Sequence, residues 1–229
     1  MAQPRRSWPL VSNLNPRSSI SEAYKILRTN IDFSNYDNAV HTIMITSCSM
    51  AEGKSTTAAN LAVTYGQTNR NVLVIDADMR KPSQHHAFQI SNRYGLSSVL
   101  SKQSTIQEAL QLTSISNVTV MTSGPIPPNP SELLASKRMT SLIEELKADF
   151  DIIIVDTPPI IAITDAQIMA NKCDGVILVV DSGKVKNEIA LKAKSMLDHV
   201  QARILGVVLN KKKRVRNDDY YYYYGEREK

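Results

Sequence analysis

Gly53, Lys54 and Ser55 stand between a short apolar run, "TIMIT" near Ile43, and a helix-forming stretch, "KSTTAANLAVTYGQ" after Gly53. That placement suits phosphate chemistry. Backbone amides at the start of a helix attract phosphate oxygens, a lysine there bridges outer phosphates, and the serine hydroxyl is a hard ligand for Mg²⁺. Two further apolar runs end on carboxylates: "VLVIDADMR" supplies Asp76, Asp78 and Arg80, and "IIIVDTPP" supplies Asp156 ahead of Pro158 and Pro159. Carboxylates at strand ends are oxygen ligands suited to Mg²⁺, directly or through its waters. One such aspartate alone reads as a helix cap or loop carboxylate. Three converging with Gly-Lys-Ser read as a phosphate and metal site on the edge of a sheet where ligands collect. The loop departs from the usual glycine spacing, because Cys48 occupies the position of the first glycine.

The second chemical feature is a run of five hydroxyls, Tyr220, Tyr221, Tyr222, Tyr223 and Tyr224, which are five of the nine tyrosines in the chain. A buried strand is a poor reading, since the run lacks alternation and is flanked by Asp218, Asp219, Glu226 and Glu228. A sticky interface and a row of phosphoryl acceptors remain, and a phosphate donor in the same chain favours acceptors. Ten residues from Asn210 to Tyr220 reach at most about 35 Å, so attack within the chain or between chains is open to geometry.

Positioning these groups requires strands that end together. Besides the runs named above, "GVILVVD" ends at Asp181, "RILGVVLN" ends at Asn210, and "NVTVMT" lies near Val120. Short, nearly continuous apolar runs separated by helical patterns such as "KNEIALKAKSMLDHV" predict an α/β fold, a doubly wound, mostly parallel sheet with helices on both faces. Asn129, Pro130 and Glu132 signal a helix start as N-cap, first helical position and third residue past the cap. An amphipathic helix from Ser21, with Tyr24, Leu27 and Ile31 near one face, precedes the first strand and offers a partner surface. Three regions result: an N-terminal extension over 1–40, a nucleotide-binding domain over 41–210, and a basic linker with the tyrosine-rich tail over 211–229.

The apolar runs fall far short of the roughly 20 residues that span a bilayer, and no apolar region follows Arg5 and Arg6 as in a secretory signal. A cytoplasmic location is expected. Cys48 and Cys173 are spaced for neither a disulfide framework nor a metal site. The net charge of +5 includes the run "KKKRVR" at 211–216, but no aromatic platform interleaves it, which disfavours specific nucleic-acid recognition.

Taken together, "GKST", the "DADMR" and "DTPP" strand ends, the segment "TSGPIPPNPSELL" and the tyrosine tail resemble the bacterial tyrosine kinases of capsule and exopolysaccharide production, over nearly the whole chain. The resemblance implies a P-loop NTPase of the nucleotide-switch ATPase type with Walker A, A′ and B motifs, and an ATP- and Mg²⁺-dependent protein-tyrosine kinase that phosphorylates its own tail in trans. It implies an ATP loop of Cys48, Ser49, Met50, Ala51, Glu52, Gly53, Lys54, Ser55 and Thr56, with Asn210 at the adenine. Ser55, Asp76 and Asp156 would hold the metal, Lys54 would contact the β and γ phosphates, and Asp78 would face the acceptor hydroxyl. Lys54, Asp78 and Asp156 are thus the catalytic set. Glu22, Lys25 and Arg28 stand where the family carries Glu, Arg and Arg for ring assembly, and Lys25 keeps the charge but not the fork. Relatives commonly have proline and glycine where this chain has Met50 and Ala51. If Ala51 adopts a glycine-like φ, the strain is about 1 kcal/mol. The partners implied are a transmembrane activator or adaptor that recruits the chain to the inner face of the membrane, further copies in a ring, a protein-tyrosine phosphatase and protein substrates.

Two other functions fit part of this pattern. A partitioning-type switch ATPase shares the fold and the strand-end aspartates, but needs a second lysine where this chain has Ser49. A catalytically weak scaffold draws on Ala51.

Overall fold

The computed structural model describes residues 10–34 and 40–212, so Tyr220–Tyr224 and most of the basic run lie outside the described residues. In chain order the elements are α1 (Val11–Leu14), α2 (Ser19–Phe33), β1 (Thr42–Ser47), α3 (Lys54–Gly66), β2 (Val72–Asp76), α4 (Gln84–Ala87), α5 (Leu96–Leu100), α6 (Ile106–Ala109), β3 (Leu110–Leu112), β4 (Val118–Met121), α7 (Pro130–Ala135), α8 (Lys137–Leu146), β5 (Ile152–Asp156), α9 (Asp165–Ala170), β6 (Gly175–Asp181), α10 (Asn187–His199) and β7 (Ile204–Asn210). The strands form one sheet in the order β3-β4-β2-β5-β1-β6-β7. All pairings are parallel except β3 with β4. The antiparallel edge strand β3 follows α6, whose Thr105 and Glu108 form a reciprocal capping box.

The central strands are buried and largely apolar because helices cover both of their faces, and successive side chains point to opposite sides. Ile43 and Ile45 of β1, Val72 and Val74 of β2, and Ile152 and Ile154 of β5 pack with Ala58, Leu61, Ala62 and Tyr65 of α3. Their neighbours Met44, Leu73, Ile75, Ile153 and Val155 join Leu134 of α7, Met139 and Leu142 of α8, and Met169 of α9 in a second cluster on the opposite face.

The amphipathic helix expected from Ser21 is α2, which begins earlier because Ser18 accepts the Ser21 amide as its N-cap. It packs on α3. Ile31 is buried, Arg28 Nη1 donates to the Thr64 carbonyl at 2.7 Å, and Asp32 accepts from Arg70 Nη1 at 2.8 Å. Asn129 precedes α7 as expected, with Pro130 in its first turn, but its side chain makes no cap bond and donates to Glu132 Oε2 at 2.6 Å.

Candidate active site

Chain order reverses across β1. β2 lies to one side beyond β5, and β6 lies on the other, so the loop leaving β1 opens into the crevice where doubly wound sheets place ligands. This loop carries Cys48 to Gly53. Gly53 has φ 100°, a left-handed conformation that favours glycine, and a Cβ added there would collide with the Asn210 amide. Ala51 has φ 64°, so the glycine-like backbone anticipated at this alanine is present, at about 1 kcal/mol.

The loop is fastened from within and from the last strand. The Glu52 carboxylate accepts the backbone N–H of Ser49 at 2.8 Å and of Cys48 at 3.3 Å. Burial raises the Glu52 pKa, and the two amide bonds oppose that rise. Cys48 is itself buried, and burial together with the Glu52 charge pushes its thiol up to about 11, so it lines the loop as a neutral thiol. Asn210 Nδ2 donates to the Glu52 carbonyl at 2.7 Å, and Lys211 Nζ donates to the Ala51 carbonyl at 2.6 Å and to Asp181 Oδ2 at 2.9 Å. The end of β7 and Lys211 therefore lie against the phosphate loop.

Parallel register brings the carboxylates together. Asp76 at the end of β2 is the aligned partner of Asp156 at the end of β5, and both are fully buried. Lys54, the first residue of α3, donates to Asp78 Oδ2 at 2.8 Å, Ser55 Oγ at 3.1 Å and Asp156 Oδ1 at 3.3 Å. Burial alone would depress the Lys54 pKa, but Asp156 and Asp78 outweigh it and raise it, so the ammonium stays charged. Asp76 accepts the amides of Ser83 and Gln84 at 2.8 and 2.9 Å and that of Asp78 at 3.2 Å. Burial and the neighbouring Asp156 nevertheless push its carboxyl up to about 7. Asp78 also accepts the Lys81 amide at 3.0 Å.

A buried site that gathers a phosphate-binding helix start, a charged lysine and strand-end carboxylates is built for nucleotide phosphates, and comparison with known proteins shows to which family it belongs. A family model described as "ParA: NUBPL iron-transfer P-loop NTPase" matches residues 38–225. Tyrosine-protein kinase YwqD of Bacillus subtilis is 49% identical over 204 residues, covering 89% of this chain and 86% of that protein. This chain belongs to the bacterial tyrosine-protein kinases. Among solved structures, the chimerical protein CapA2B2 superposes with a TM-score of 0.87 at 43% identity, covering 90% of each chain. The kinase domain of Escherichia coli tyrosine kinase ETK gives 0.85 at 30% identity, covering 94% of this chain and 86% of that domain. As a member of this family the protein is a P-loop NTPase that binds nucleotide and a protein-tyrosine kinase.

The structure brings Lys54, Ser55, Asp76, Asp78 and Asp156 together, and sets Asn210 against the same loop. Arg80, from the same run as Asp76 and Asp78, is engaged with the helices behind the site. It donates through Nε and Nη2 to Asp165 at 2.9 and 3.2 Å and through Nη2 to Ser131 Oγ at 3.0 Å, while Ser131 donates to Asp165 Oδ1 at 2.6 Å. The turn after Asp78 is thereby tied to α7 and α9. On α2, Lys25 pairs with Glu22 at 2.7 Å and donates to the Pro16 carbonyl, and Arg28 is engaged with α3. Sequence reasoning missed three supports: Gln84, Asp165 and the Asp181–Lys211 pair. Asp181 alone carried a signal, as a third carboxylate ending an apolar run. None of the described helices is long and apolar enough to cross a membrane.

Proposed function

We propose that this kinase transfers the γ-phosphoryl group of ATP to tyrosine hydroxyls, with its own Tyr220–Tyr224 as acceptors in trans, and that this activity regulates capsule or exopolysaccharide production. The observation that carries the reading is the Lys54 ammonium held between Asp78 and Asp156 in a chain of this family. The residues fit Mg²⁺: a hydroxyl and two carboxylates are hard oxygen donors, too few for an all-protein cage and suited to a cation shared with phosphates. Ser55, Asp76 and Asp156 would hold it, and when bound it offsets charge on the phosphate oxygens.

The remaining chemistry belongs to the chain. Lys54 exchanges carboxylate contacts for the β and γ phosphates, and the loop amides and Thr56 hold the phosphate oxygens. The bond from the tyrosine oxygen to the γ-phosphorus forms as the bond to the bridging oxygen breaks, ADP leaves with that electron pair, and the phenolic proton passes to Asp78. Tyrosine has an ordinary pKa near 10, so Asp78 acts as acceptor late in the transfer, and catalysis is mainly positioning and charge stabilisation. Asn210 is assigned to the adenine. Lys211 lies beside the phosphate loop, which supports the tail as acceptor, and a transmembrane activator would gather copies into a ring at the inner face of the membrane through α2, where Glu22, Lys25 and Arg28 lie. A phosphatase would reverse the modification, and other proteins would serve as further substrates.

The test is incubation of the purified chain with γ-labelled ATP and Mg²⁺, followed by phosphoamino-acid analysis. Label is expected on tyrosine and is expected to vanish when Tyr220–Tyr224 are all replaced by phenylalanine. ATP hydrolysis without label on tyrosine would instead identify a switch ATPase.

A further inference from the structure

Gln84 is fully buried and touches all three segments that build the site. Its Nε2 donates to Asp156 Oδ2 at 2.7 Å and to the Ser55 carbonyl at 3.2 Å. Its backbone N–H donates to Asp76 Oδ2 at 2.9 Å. The amide orientation follows from these partners, since a carboxylate oxygen and a carbonyl oxygen can only accept, so the nitrogen must face them. Asp156 is therefore held from two sides, by Lys54 on Oδ1 and by Gln84 on Oδ2. Lys54 is to be shared with phosphates in the proposed transfer, whereas Gln84 is neutral and enclosed. Its contact with Ser55 also ties the carboxylate to the first turn of α3, which presents the Ser55 hydroxyl.

We propose that Gln84 is a positioning residue for phosphoryl transfer: it fixes the distance and orientation of the Asp156 carboxylate relative to the Ser55 end of the phosphate loop, so that both meet one divalent cation. This rests on the assignment of Ser55, Asp76 and Asp156 to Mg²⁺. Groups that orient a metal-binding side chain typically account for about 10–100-fold in metal affinity or activity.

The test compares wild type with Gln84→Met, which keeps the approximate length and burial but removes the amide, and with Gln84→Asn, which keeps the amide one methylene short. Three quantities are measured on the full chain: affinity for fluorescent ADP in EDTA, the same affinity across a Mg²⁺ titration, and tyrosine labelling against ATP concentration. For Gln84→Met we expect metal-free ADP affinity within twofold of wild type, a half-saturating Mg²⁺ concentration raised about tenfold, and kcat lowered at least tenfold with a smaller change in KM. Gln84→Asn should fall between the two. Mg²⁺ dependence and kcat both within twofold of wild type would overturn the proposal. So would a parallel fall in metal-free affinity, Mg²⁺ response and thermal stability in both variants, which marks a packing role. If wild type binds Mg²⁺ and ADP without labelling tyrosine, the kinase assignment fails while the Mg²⁺ titration still decides the role of Gln84. Wild-type ADP affinity unaffected by Mg²⁺ would instead overturn the metal assignment and this proposal with it.

Discussion

Replacing Arg80 with alanine should destabilise the protein without touching a phosphate ligand. Asp165 is wholly buried, and its carboxylate depends on three short contacts, two from the Arg80 guanidinium and one from Ser131. Breaking a buried pair by removing one partner commonly costs about 3–5 kcal/mol. Here the cost is smaller for two reasons: the Arg80 side chain is 42% exposed, so part of the attraction is already screened, and Ser131 remains as a donor. Discounting for both gives about 2 kcal/mol, equivalent to about 4–8 °C in Tm for a chain of this size. Urea unfolding followed by circular dichroism measures it, with Asp165→Asn and the double variant completing a cycle. The two single costs should exceed the double by about 1.5 kcal/mol, because removing both partners leaves no orphaned charge. Arg80→Lys should recover only part of the loss, since an ammonium cannot supply the two-pronged contact. A cost below about 0.5 kcal/mol for Arg80→Ala, or additivity in the cycle, would show that the ion pair does not hold this turn.

Lys54→Met should abolish tyrosine labelling, and it should also destabilise the fold by about 3 kcal/mol at pH 7, because Asp78 and Asp156 lose their buried counter-charge; chemical denaturation measures this deficit, and wild-type stability would refute it. The Asp76 carboxyl, at about 7 in the folded chain and about 3.9 when unfolded, binds more proton folded than unfolded between those values. Its stabilising effect is complete below about 4 and is lost as pH rises through about 7. In EDTA, wild-type stability should therefore carry a downward component from pH 4 to 7 that Asp76→Asn removes, and identical pH profiles for the two proteins would contradict the raised value.

The apolar runs ending in Asp76, Asp156 and Asp181, with Gly-Lys-Ser opening a helix, determined the fold class and most of the site from sequence, because strand burial on two faces and helix-start phosphate chemistry are local demands written into consecutive residues. The antiparallel β3 escaped notice because three edge residues, two half-buried and one exposed, carry too short a pattern. Other features depended on distance in space. The alignment of Asp76 with Asp156, 80 positions apart in the chain, comes from strand order and register. Gln84 and Arg80 acquire their roles only where α4, α7 and α9 close over the carboxylates, and an isolated glutamine or arginine in a loop announces no partner. Asn210 and Lys211 reach the carbonyls of Glu52 and Ala51 because β7 ends on the same edge of the sheet as β1. Residue type thus set what each group could do, while tertiary packing decided which buried charges met a partner, since in a low-dielectric interior an unpaired charge is too costly to leave alone.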